Sequence, residues 1–153
     1  MEEPALPITI HRSIIGLLVI VIRGLLVFGL LLALAYWLKA QNPADTLPLA
    51  ILGLMSVVVI LVTIVQVVVY DLATLTLREQ GIAVSNWATL FVSKEAVADW
   101  DQIEDITVEQ SGPIAGLLGI GTILVQTAGT QTNFRLTWVP RVKYWRDFID
   151  QRS

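Results

Sequence analysis

Two long apolar stretches fill the first half of the chain, and short alternating runs follow them. Residues 14–38 carry one charge, Arg23, and residues 47–70 carry none. At 1.5 Å per helical residue the first stretch spans ~37 Å, more than the ~30 Å hydrocarbon core, so it can tilt or lay its first turns at the interface. Tyr36, Trp37 and Lys39 suit an interfacial belt at its far end. The second stretch is rich in Val and Ile, which favour strand in water. In lipid the backbone must satisfy its own hydrogen bonds, and a helix is the expectation for an isolated run this long. Pro43 and Pro48 punctuate the connection between them.

From Asp71 onward the period drops to two. Ala73, Leu75 and Leu77 share one face, and Arg78–Gly81 reads as a turn, with Gly81 able to take positive φ. Further strands are expected at 82–85, 96–100, 102–109, 122–127 and 133–139, with Trp87–Val92 as strand or loop. Ile103 is out of phase with Ile106 and Val108, which suggests a bulge. In the last strand Phe134, Leu136 and Trp138 face one way, and Gly129 lies in the turn before it. Pro140 is expected at the first position of a helix over 140–152, with Val142, Trp145, Phe148 and Ile149 on its apolar stripe. The expected organisation is therefore an N-terminal segment (1–13), transmembrane helices over 14–38 and 47–70 joined by 39–46, and a soluble β-rich domain over 71–153 closed by the helix. Several antiparallel strands with one terminal helix fit a small barrel or a strongly bent sheet.

Composition agrees with the membrane class: 55% of the 153 residues are hydrophobic, 15% are charged, and mean hydropathy is +0.70. A signal peptide cleaved after Ala33-Leu34-Ala35 is the rival reading of the first stretch. It is disfavoured by Glu2 and Glu3 in the leading segment and by an apolar run longer than such peptides use. Two spans put the N-terminus and the tail on one side, where Arg12 and Arg78 outnumber Lys39 of the connection, so the positive-inside rule favours a cytoplasmic tail. Segment 71–153 is acidic overall and lacks a basic cluster, which argues against nucleic acid as a partner. The chain has no cysteine, and His11 is its one histidine. Thiol chemistry, histidine triads and zinc sites are excluded.

The order of elements, the run Ile103-Glu104-Asp105-Ile106-Thr107-Val108-Glu109-Gln110, the run Gly116-Leu117-Leu118-Gly119-Ile120-Gly121-Thr122-Ile123 and the later Thr127-Ala128-Gly129 resemble a known family. It is the bacterial pleckstrin-homology-like (PH-like) family of small two-helix membrane proteins. The resemblance covers residues 70–149. It implies a PH-like split β-barrel with a C-terminal capping helix, residence in the bacterial inner membrane, and binding or assembly rather than catalysis. A basic stretch common in the family after its second strand is represented here by Lys94 alone.

Arg23 is the sharpest candidate, because a charge inside a span costs about 2.5–3.5 kcal/mol on insertion scales and seeks a partner. Antiparallel packing puts it near Thr63 and Gln66. The other reading lets Arg23 snorkel to the interface. Gly29 and Ala33 form a small-xxx-small pair that suits close helix packing. The candidate interaction surface comprises Trp87, Leu90 and Phe91 with Ile114, Leu117 and Leu118. For the latter three, packing inside the domain is the preferred reading over docking. Gly112–Gly121 fails both nucleotide fingerprints, lacking a glycine at 124 and a Gly-Lys-Ser/Thr run. Asp99, Asp101, Glu104 and Asp105 read as a solvated face. The expected function is a non-catalytic membrane-anchored scaffold without cofactor, metal or small-molecule substrate. Its partners are the lipid bilayer and either copies of itself or another membrane protein. The alternative is a tethered lipid-binding or lipid-sensing domain.

Overall fold

The computed structural model describes residues 5–128 and 133–153. It places a strand first, β1 (Ile8–His11), where the pattern suggested only a lead-in to the apolar stretch. Two long helices follow, α1 (Ile14–Gln41) and α2 (Leu47–Leu72), each long and apolar enough to cross a membrane. Then come β2 (Thr74–Leu77), β3 (Gly81–Thr89), β4 (Val92–Asp99), a 3₁₀ turn at Trp100–Gln102, β5 (Ile103–Glu109), a short α3 (Pro113–Leu118), β6 (Gly121–Thr127), β7 (Phe134–Val139) and α4 (Val142–Asp150). The chain divides into two compact units, Met1–Gly16 with Val69–Ser153, and Leu17–Val68.

The first unit holds two antiparallel sheets, β1-β2-β3-β4 and β5-β6-β7. Among the described residues no ladder joins the two into a closed barrel. β1 pairs with β2, with His11 opposite Thr74 and Ile8 opposite Leu77. The neighbours β1 and β2 thus pair as the two arms of a hairpin would, with the two apolar helices inserted between them in the sequence. Four residues were too few to announce β1 in sequence. Its one signal is the Ile8-Thr9-Ile10-His11 alternation, which buries Ile10 and exposes Thr9 and His11.

The inward faces of both sheets and α4 share one core. Ala73, Leu75 and Leu77 are buried as their alternation predicts, with Ile82, Val84, Ile123, Val125 and Leu136. From α4, Val142, Phe148 and Ile149 are buried and Trp145 packs partly against them. That helix starts later than Pro140, because Arg141 adopts the left-handed conformation at φ 49° and breaks any earlier helical turn. β5 carries the anticipated irregularity between Ile103 and Asp105.

Two local features need a closer account. Gly81 does not use the positive φ open to it. It begins β3 opposite Asp99, and a side chain there would collide with the backbone carbonyl of Ala98, so close approach explains the glycine. Trp138 does not continue the buried face of Phe134 and Leu136. It sits at φ 62°, the β6–β7 register shifts beside it, and Val139 takes the buried place. Gly129, expected in the β6–β7 turn, lies outside the described residues.

Candidate functional sites

In the helical unit α1 and α2 run antiparallel. The Arg23 guanidinium donates to the Gln66 side-chain oxygen at 2.7 Å. Thr63 is not its partner: the Thr63 hydroxyl turns back to the Val59 carbonyl of its own helix at 2.8 Å, as Ser56 does to Leu52. Thr63 instead packs against Gly24, where an added side chain would collide with it. The close approach of the helices therefore lies at Gly24 rather than at Gly29, which has open space around it. Arg23, Gly24, Val27, Val58, Val62 and Gln66 line a shallow apolar groove of about 200 Å³. Arg23 remains exposed on the surface of the pair.

In the β unit the connection between β3 and β4 is a hairpin with Leu90 and Phe91 at its tip. Trp87 is half-buried, Leu90 is 37% exposed and Phe91 93%. In α3, Leu117 is 87% and Leu118 50% exposed, contrary to the inward packing expected from sequence. The reason is length and framing. Six residues bounded by Gly112 at φ 89° and Gly119 at φ 64° make one short turn standing off the sheet. The side chain of Ile114 lies outside what the structure describes.

A third cluster was missed by sequence reasoning, because its members are far apart in the chain and Arg12 and Tyr70 read only as flanks. Ser13 donates its N–H to the Trp138 carbonyl at 2.6 Å, and its own carbonyl accepts from the Tyr70 hydroxyl at 2.7 Å. The positive φ of Trp138 belongs to this contact region, where Gly16 leaves room for both Tyr70 and Trp138. The Arg12 guanidinium lies 5.2 Å from the Tyr70 ring centre and donates weakly to Asn86 Oδ1 at 3.4 Å. Its buried Nε has no hydrogen-bond partner among the described residues. Burial lowers the Arg12 pKa against an opposing influence of Tyr70, and an arginine stays charged regardless.

The acidic residues Asp99, Asp101, Glu104 and Asp105 are all exposed, and His11 faces solvent on β1. Among the described residues no group of three His, Asp or Glu side chains converges as metal ligands. A cleft of about 360 Å³ beside α3 is crossed by the exposed Arg135–Glu109 ion pair at 3.6 Å. Comparison with protein-family models, curated proteins and solved structures finds no match.

Proposed function

We propose that this protein is a membrane-anchored, non-catalytic interaction module with a PH-like β domain, which self-associates or serves as a subunit of a larger membrane assembly. Sheets of four and three antiparallel strands followed by a C-terminal helix support the PH-like reading, together with the Leu117-Leu118-Gly119 and Thr127-Ala128 runs. The excess of Arg12 and Arg78 over Lys39 supports a cytoplasmic β domain on a bacterial inner membrane.

One observation carries the assembly reading. Arg23 stands exposed on a largely apolar helix pair, and among the described residues its hydrogen-bond partner is the neutral amide of Gln66. A guanidinium facing lipid costs several kcal/mol, and a second helix pair bringing another polar group to the groove relieves it. The test is crosslinking in native membranes with sizing in mild detergent. More than one copy per particle is expected, with Arg23→Leu shifting the balance toward monomer. A monomer by both measures would end the self-association reading. Release of the intact chain by alkaline carbonate would end the membrane reading itself. The alternative, contact of the β domain with lipid, is favoured by the exposure of Phe91 and Leu117.

A further inference from the structure

The register of the first sheet gives the exposed apolar tip a direction. β1 ends at His11 and β2 begins at Thr74, and these two residues pair. That rung is the last before the chain passes into α1 on one side and out of α2 on the other. Thr74 pairs in turn with Ser85, and β3 runs on from Ser85 to Thr89, past the end of its neighbour. At ~3.3 Å per residue this overhang is roughly 13 Å, before the turn at Leu90-Phe91. The tip therefore projects from the end of the sheet at which the chain leaves for α1 and returns from α2. α3 belongs to the same neighbourhood: it leads to Gly121, which pairs with Val139, adjacent to the Trp138 carbonyl that holds the Ser13 N–H.

Charge is graded along the same direction. Arg12 reaches Asn86, and Asn86 pairs with Lys94, so two cations flank the first rung of the overhang. Arg141 and Lys143 lie exposed at the start of α4, whose Val142 N–H bonds to Gly119 after α3. Acids occur among them at Asp71, Glu95 and Glu109. The opposite end, at the Gly81–Asp99 rung and the residues that lead from it into β5, carries Glu79, Asp99, Asp101, Glu104 and Asp105, with Arg78 among them. Apolar tips beyond a basic rung, with acids at the far end, match the layers of a bilayer surface: acyl chains, phosphates, water.

We propose that Phe91 and Leu90 of the hairpin, and Leu117 of α3, insert into the boundary between acyl chains and headgroups of the same bilayer that the two helices span, fixing the β domain against the membrane. The inference rests on the spanning reading and adds to it a second, shallow anchorage. It assigns these surfaces to lipid, leaving assembly to the helices.

The absence of native cysteine permits single-cysteine labelling of the full chain. Phe91→Cys, Leu117→Cys, Glu79→Cys and Leu30→Cys would each carry an environment-sensitive fluorophore in phosphatidylcholine nanodiscs, whose two faces are both open to solvent. Labels at 91 and 117 are expected to shift to the blue, to lose emission to shallow nitroxide lipids and to resist iodide. The label at 79 should respond only to iodide, and that at 30 only to lipid-borne quenchers. If position 30 meets lipid but 91 and 117 respond to iodide as 79 does, the inference falls and the spanning reading stands. If position 30 also responds to iodide, the spanning reading falls with it. Protection of 91 from both quenchers, relieved in discs holding a single chain, would assign the tip to a second copy and overturn the inference.

Discussion

Single residues here are constrained by backbone proximity and by the seam around Ser13. Gly81 faces the Ala98 carbonyl across the β3–β4 ladder, and the obstruction is backbone rather than a movable side chain. Gly81→Ala should therefore destabilise the β domain by about 1–3 kcal/mol, the usual range for overpacking. At 4–8 °C per kcal/mol for a domain of this size, thermal unfolding in detergent would read the change directly. Tyr70→Phe should cost less, about 0.5–1.5 kcal/mol, because the Ser13 carbonyl keeps its second donor, the Gly16 N–H at 3.1 Å. A loss above about 3 kcal/mol on removal of that hydroxyl would mean that the seam depends on it more than one hydrogen bond allows.

Among the elements, β1 has the largest consequence. It covers the outer edge of β2 and brings Ile10 into the core, with Leu6 and Ile8 packed against it. A fragment beginning at Ala73 loses that strand, exposes an unpaired edge and opens a gap beside Leu75. It should unfold in urea with about 2–5 kcal/mol less stability than a variant in which Ser13–Leu72 are replaced by Asn-Gly. That replacement joins β1 to β2 by a two-residue turn suited to a hairpin. Equal stability of the two proteins would show that β1 is dispensable. α3 illustrates the opposite case, since a helix of six residues framed by two positive-φ glycines has too little length to turn Leu117 inward.

At the scale of the whole molecule, one sheet interrupted by two apolar helices leaves both ends of the insertion on adjacent strands. One residue separates the second helix from the sheet: Leu72 ends α2 and Thr74 begins β2. Arg23→Leu combined with Gln66→Leu should retain membrane insertion and lose crosslinked species. Unchanged crosslinking in that pair would move the assembly interface away from the groove.

Much of the architecture was legible because it depends on local pattern. Unbroken apolar runs specify α1 and α2, since any backbone so placed must satisfy its own hydrogen bonds. Period-two alternation specifies β2 and most of β7, and a helical stripe specifies the buried face of α4. The proximity of Arg23 to Gln66 follows from chain reversal alone. Other features depended on partners distant in sequence. Ile8–His11 becomes a strand because β2, some sixty residues on, offers it an edge. Trp138 leaves the core because its backbone meets Ser13, and Gly81 is required by a carbonyl across the sheet. The direction of the Phe91 tip emerged only from the pairing register. Hydropathy reports where a segment prefers to lie, and register, which no single segment contains, decides what it lies against.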